Sequence, residues 1–224
     1  MSDVTPSDRP AEIEVVDLAV VEAIFGSQAD VARRFVGHLA TTGVEWGLIG
    51  PREVPRLWTR HVLNCAVLGE LVPQGASVLD VGSGAGLPGL AVAIARPDLR
   101  VTLVEPLERR TAWLSMVVAD LGLEVEVVRA RAEEVRGTHG ADVVTARAVT
   151  ALDKLARWTV PLTTAGGQVL AIKGRSAAEE VRAAAKVFRR LGVVGHEVVL
   201  CGEAVLEQPT TVVRLITGPQ RRRS

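Results

Sequence analysis

Val78-Leu79-Asp80-Val81-Gly82-Ser83-Gly84-Ala85-Gly86-Leu87-Pro88-Gly89 is the stretch from which the fold can be read. The apolar run Val78 to Val81 has the length of a short buried strand. Leu87 to Ala95, closed by Pro97, reads as a helix. The glycines between them let the backbone pass close to a ligand with no Cβ in the way. In an open α/β sheet the first strand-to-helix turn lies at the carboxyl edge, where ligands bind. The spacing is Gly82-x-Gly84-x-Gly86. A dinucleotide site wants the third glycine one position later, for helix packing. Asp80, just before the loop, repels a phosphate but attracts an ammonium, such as that of a methionine moiety, directly or through water. Taken alone, the loop also reads as a tight turn with no ligand.

Outward from this loop the same alternation continues. Val101 to Val104 reads as a second strand, and Arg109 to Leu121 as a helix stopped by Gly122. Val125 to Val128 and Val143 to Ala146 are the next two strands. Ala151 to Val160 is helical, Gln168 to Ile172 a fifth strand, and Ala177 to Leu191 a strongly amphipathic helix. Two β-rich runs without an intervening helix, Val193 to Leu200 and Thr210 to Thr217, are expected to pair as an antiparallel edge. Upstream, Ser27 and Asp30 resemble a capping box for a helix with Val31, Phe35 and Leu39 on one face and Gly43 as its stop. A Gly/Pro-rich segment, Gly47 to Pro55, precedes a helix from about Arg56 to Leu71 that stops before Pro73. The expected architecture is α/β: a seven-stranded, mostly parallel sheet with an antiparallel edge. An N-terminal helical extension (1–72) precedes the sheet region (73–218), and a basic tail (219–224) follows.

The 224 residues are 48% apolar, enough for a sizeable core. No stretch has the length of a transmembrane span, and Met1 to Pro10 lacks the pattern of a secretory signal, so a cytoplasmic protein is expected. Cys65 and Cys201 stand far apart in no metal-ligand spacing, so neither a disulfide framework nor a metal site is expected. Net charge is zero, yet basic residues cluster at Arg109-Arg110, at Lys173-Gly174-Arg175, at Lys186 to Arg190 and at Arg221-Arg222-Arg223. Such patches are compatible with RNA.

Several residues at strand ends are candidates for chemistry. Glu105, ending the second strand about twenty residues after the loop, suits a ribose diol; a solvated strand-end carboxylate is the alternative. Glu133, in Arg131-Ala132-Glu133-Glu134, reads as an acceptor for the exocyclic amine of adenine or as a carboxylate at a helix start. Arg147 after the fourth strand faces a ligand crevice or makes a surface salt bridge. Lys173 and Arg175 after the fifth contact phosphate or are solvated. Trp46, Trp58, Trp113 and Trp158 read equally as core or as stacking platforms.

Taken together, these motifs resemble one family. Asp80-Val-Gly-Ser-Gly-Ala-Gly-Leu-Pro-Gly89 is similar to the glycine loop of the RsmG (GidB) methyltransferases. So are Arg60-His61-Val-Leu-Asn64-Cys65, Arg131-Ala-Glu133, Ala146-Arg147-Ala148 and Lys173-Gly174, in order, over about Val36 to Thr217. The resemblance implies a class I, Rossmann-like methyltransferase that uses S-adenosylmethionine. The implied acceptor is N7 of a guanosine in 16S rRNA beside the decoding site, as free rRNA or in the 30S particle, for a protein expected to be a monomer. It implies cofactor contacts at Gly82, Leu87, Ala132, Glu133 and Arg147. The loop residues Asp80, Ser83 and Gly84 and the acid Glu105 complete the expected cofactor site. Acceptor positioning is expected from Arg147, Lys173 and Asn64, and RNA contact from Arg60, His61, Arg109, Arg110, Lys173 and Arg175. No acid or base is required, because N7 carries a lone pair and no hydrogen. One departure stands out: the family usually has aspartate and serine where this chain has Asn64 and Cys65, so a charge there is missing. Two other readings remain: a small-molecule or protein methyltransferase of this fold, or a non-catalytic RNA or ribosome-assembly factor.

Overall fold

Strand order explains where the glycine loop ends up. The computed structural model describes residues 12–147 and 150–218; Ala148, Val149 and the expected basic tail at Arg221 to Arg223 lie outside the described residues. The strands are β1 (Ser77–Val81), β2 (Arg100–Val104), β3 (Val125–Val128), β4 (Ala141–Arg147), β5 (Thr163–Ile172), β6 (Val193–Cys201) and β7 (Thr210–Thr217). They form one sheet in the order β3-β2-β1-β4-β5-β7-β6. β1 to β5 run parallel. β7 is antiparallel to both neighbours, β5 and β6. A strand that returns without a crossover helix can only pair antiparallel, and here it inserts between β5 and the edge strand. The chain builds outward from β1 through β2 to β3, then crosses back to β4. That reversal leaves a crevice at the carboxyl ends of β1 and β4. The glycine loop follows β1 and Arg147 ends β4, so both stand at it.

The helices are α1 (Leu18–Phe25), α2 (Ala29–Ala40), α3 (Thr42–Glu45), α4 (Leu63–Ala66), α5 (Gly89–Ala95), α6 (Glu108–Leu121), α7 (Leu152–Thr159) and α8 (Ala177–Leu191). Alternation along the strands divides the apolar residues between two cores. Val78, Val143 and Leu170 join Phe35, Leu57, Leu68, Leu90 and Trp113 on one side. Leu79, Val81, Val144 and Val169 join Leu152, Ala156 and Phe188 on the other. The upstream helices thus share a core with the sheet, each fully buried side chain such as Phe35 contributing about 2 kcal/mol. Among the described residues, no helix is long and apolar enough to cross a membrane.

Local punctuation in the upstream helices differs from the sequence reading in three places. Ser27 and Asp30 form no capping box: α2 begins at Ala29 with no side-chain cap, and Asp30 instead pairs with Arg33. The side-chain cap sits one helix earlier, where Asp17 accepts from Ala19 N at 2.9 Å. Gly43 does not stop α2. The break comes at Thr41, and Gly43 is buried in α3, where a Cβ would lie 3.2 Å from His38 O. The helix expected over Arg56 to Leu71 is a series of different windings. A 3₁₀ turn (Pro51–Arg56) leads to a π-helical turn (Leu57–Val62), then α4, then a second 3₁₀ turn (Val67–Leu71). In the π turn Leu63 N bonds to Trp58 O, five residues back. Single π turns inside helical segments recur at functional sites.

Candidate active site

Between β1 and α5 the chain makes a loop that only glycine tolerates. Gly82, Gly84 and Gly86 have φ of 72°, 55° and 77°, a region costly for side chains. Gly82 N donates to Val104 O at 2.8 Å and Ser83 N to the same oxygen at 3.3 Å, which fastens the loop to the end of β2. The helix starts later than expected, so Leu87 lies in the turn, and α5 opens at Gly89. A Cβ at Gly89 would stand 2.3 Å from Leu103 Cδ2 and 2.7 Å from Asp80 Oδ2. The close helix–strand approach, given to the third glycine of a dinucleotide loop, is made here by Gly89.

Asp80 is fully buried beneath the loop. Its Oδ2 accepts from Gly89 N at 3.0 Å and its Oδ1 from Thr145 Oγ1 at 3.1 Å, while Ser83 Oγ bonds to the Asp80 carbonyl at 2.9 Å. Burial pushes the carboxyl up to about 6 in spite of these donors. Glu105, also buried, accepts from Gly84 N and Leu107 N, both at 3.1 Å, and Arg110 approaches it to 3.7 Å. Directly beyond, Leu107 is 52% exposed. The sequence reading passed over it; an apolar residue two places after a strand-end acid was the available signal, and it sets apolar surface beside a carboxylate. Ala132 is buried in the core that holds Leu79 and Val81, and Glu133 is exposed.

Arg147 joins this crevice to the helical extension. Its guanidinium donates to Cys65 Sγ at 3.1 Å, to Arg60 O at 3.2 Å and to His61 Nδ1 at 2.8 Å. His61 Nε2 lies 2.7 Å from Glu53 Oε2, and Glu53 also pairs with Arg56 at 2.7 Å. Neither a surface salt bridge nor a free side chain describes Arg147: among the described residues it pairs with no carboxylate. Burial holds the His61 pKa below its ordinary value, with Arg147 adding to the effect. The His61 hydrogen bond holds the Glu53 carboxyl low. Burial pushes the Cys65 thiol up to about 11, so it stays protonated and inert as a nucleophile. Glu53 was missed from sequence because its partner His61 is eight residues away through two irregular turns.

Other expected contacts are distributed unevenly. Lys173 turns inward: its side chain is 10% exposed, and its ammonium bonds to Thr150 O at 2.7 Å and to Glu180 at 2.8 Å. Burial pushes the Glu180 carboxyl up, but Lys173, joined by Leu152 N and the Ser176 hydroxyl, outweighs it and holds the group below its ordinary value. The Asn64 side-chain amide reaches back to Arg60 O at 3.5 Å, while the Asn64 backbone carbonyl accepts from Thr210 Oγ1 at 2.9 Å. Arg60, Asn64 and Arg175 come together with Arg56, Thr59 and Gln208 around a cavity of about 710 Å³, within the usual range for small-ligand sites. Arg109 and Arg110 are exposed at the start of α6, near Glu45 O and Glu105 respectively. Trp113 and Trp58 are core; Trp158 is half-buried with Lys154 5.1 Å over its ring.

Residues 28–210 match the family rRNA small subunit methyltransferase G (GidB). The chain belongs to this family. It is 61% identical over 208 residues to the ribosomal RNA small subunit methyltransferase G of Paenarthrobacter aurescens strain TC1, covering 92% of this chain and 96% of that one. With the namesake from Mycobacterium marinum strain M the identity is 56% over 203 residues, covering 89% of each. Among solved structures, precorrin-6y C5,15-methyltransferase from Geobacter metallireducens GS-15 superposes with a TM-score of 0.51 at 13% identity, covering 69% of this chain and 87% of that one. A SAM-dependent O-methyltransferase from Thermotoga maritima gives 0.51 at 14%, covering 71% and 66%. Those identities speak for the fold alone, and the fold is that of class I methyltransferases. Family membership therefore rests on the sequence relatives, and the matched residues 28–210 include the glycine loop at the crevice of β1 and β4.

Proposed function

We propose that this chain transfers a methyl group from S-adenosylmethionine to N7 of a guanosine in 16S rRNA near the decoding site, acting as a cytoplasmic monomer. The observation that carries the reading is convergence. A glycine loop, a buried strand-end acid and Arg147 stand at the crevice. Arg60 and Asn64, on the segment Arg147 bonds to, open with Arg175 onto a cavity where three arginines stand with Asp17 and Glu207. The residues present fit the cofactor: Gly82 and Gly84 offer backbone without side chains while the Ser83 hydroxyl is turned to the Asp80 carbonyl, Glu105 offers a carboxylate for a ribose diol, and Leu107 an apolar surface for a base. Ala132 and Glu133 border the adenine end. Asp80 lies below, where its charge favours an ammonium. When bound, S-adenosylmethionine supplies an electrophilic methyl on a sulfonium.

What remains for the protein is placement, which can supply about 7–11 kcal/mol of barrier reduction in favourable cases. The N7 lone pair needs no general base, which accords with His61, whose two ring nitrogens are both engaged. Lys173 holds Thr150 to α8 and so shapes the loop after β4 on the acceptor side. Arg56, Arg60 and Arg175 contact RNA phosphates. Arg109 and Arg110 extend that contact past Glu105.

The test is transfer of labelled methyl to 30S particles and to naked 16S rRNA, both from a strain lacking this chain, with the product mapped by mass. One N7-methylguanosine is expected. Transfer to metabolites or proteins but to neither RNA substrate defeats the reading. Arg175→Ala is expected to raise KM for the RNA several-fold and reduce the slope of log affinity against log salt by about 1, leaving cofactor affinity unchanged. An unchanged slope removes Arg175 from the interface.

A further inference from the structure

We propose that His61 is a positioning residue for methyl transfer, a neutral ring protonated at Nε2 that links Glu53 to Arg147 and fixes the guanidinium at the crevice against the segment whose Arg60 and Asn64 line the cavity. It rests on the reading of those two features as one methyl-transfer site. The argument begins with the donor inventory. A guanidinium only donates, so at 2.8 Å the His61 Nδ1 must present its lone pair. The ring proton then sits on Nε2, which donates to Glu53 at 2.7 Å. The His61 side chain is 13% exposed, so water does not readily replace either partner.

Among the described residues three acceptors hold Arg147, and all belong to the helical extension: Cys65 Sγ, Arg60 O and His61 Nδ1. Of these the imidazole alone can be switched off by a proton. Facing it are Glu53 and Arg56 from the 3₁₀ turn, Arg60 from the π turn and Arg147 from β4. A second proton would set an N–H and a positive charge against the guanidinium, and the contact would be lost. Burial, then Arg147, keep the ring neutral to lower pH, with the Glu53 bond opposing them. Arg147 is therefore held through neutral pH and is released only as pH falls through the lowered His61 pKa, below the ordinary histidine range.

Isosteric substitution separates the two ring nitrogens. In His61→Asn the amide oxygen takes the place of Nδ1 and accepts from Arg147. In His61→Gln the amide reaches Glu53 but offers nothing at Nδ1. On 30S particles at pH 8, kcat is expected to fall about 10-fold in His61→Gln and His61→Ala, with His61→Asn within about 3-fold of the parent chain. Affinity for S-adenosylmethionine, read by calorimetry, is expected to stay within about 2-fold throughout. The acid limb of kcat is expected to vanish in His61→Asn. In Glu53→Gln, which keeps an acceptor but removes the charge favouring ring protonation, it moves to lower pH. Thermal melts confirm that the variants fold. His61→Asn no better than His61→Ala, or an acid limb unmoved by both His61→Asn and Glu53→Gln, overturns the proposal. If the parent chain itself methylates neither 30S particles nor 16S rRNA, the functional reading fails and this proposal with it.

Discussion

Replacing Gly82 by valine weakens S-adenosylmethionine binding by about 100-fold or more while the chain still folds. The backbone at Gly82 has φ 72°, where a β-branched residue is a true outlier. Strain of about 1–3 kcal/mol is stored at such a position. A tenfold change in affinity corresponds to about 1.4 kcal/mol, so strain alone accounts for up to about two decades. The chain can relieve it only by rotating the loop, which breaks the 2.8 Å bond from Gly82 N to Val104 O and moves Gly84 off Glu105. The branched side chain also stands where the cofactor would meet bare backbone. Calorimetric titration of a variant shown by thermal melts to be folded is the measurement. Undiminished affinity would show that the cofactor does not lie on this loop.

Asp80→Asn is expected to stabilise the chain at neutral pH and weaken its cofactor binding. Burial raises the Asp80 carboxyl from an ordinary 3.8 to about 6. Between those values the folded chain keeps a proton that the unfolded chain has released. This group's contribution is therefore present in full below about pH 4 and is lost as pH rises through about 6. The penalty above pH 6 is on the order of 3 kcal/mol. Asparagine keeps both hydrogen bonds, its oxygen accepting from Gly89 N and its amide donating to the Thr145 hydroxyl, and it carries no charge to bury. In a chain of this size that is worth up to about 6–12 °C of Tm at pH 7.5, shrinking toward zero near pH 4. Cofactor affinity is expected to fall by up to about fivefold, since the charge that favours an ammonium is gone. Melting scans against pH settle the first point. A variant less stable than the parent by the same margin at pH 4 and pH 7.5 would mean that packing, not charge, sets the effect.

Strand periods, the break from dinucleotide glycine spacing and the late pair of strands without a helix were all legible in the sequence. They report local geometry: alternation, length and the absence of Cβ atoms are properties of neighbouring residues. The sequence also placed Asp80, Glu105 and Arg147 at strand ends. What those groups bond to is non-local. Asp80 is tied to Gly89 and Thr145, Glu105 to Gly84, and Arg147 to a π turn 86 residues upstream. Lys173 looks identical to a phosphate-binding lysine until Glu180 of the following helix closes on it. Glu53 and Leu107 carried no periodic signal, because one lies in an irregular turn and the other on a rim between elements. Sequence by itself thus determined the layers, the parallel core and the loop at the head of β1. Tertiary structure alone decided which charges are spent inside the protein and which remain for a ligand, because pairing depends on distances between segments far apart in the chain.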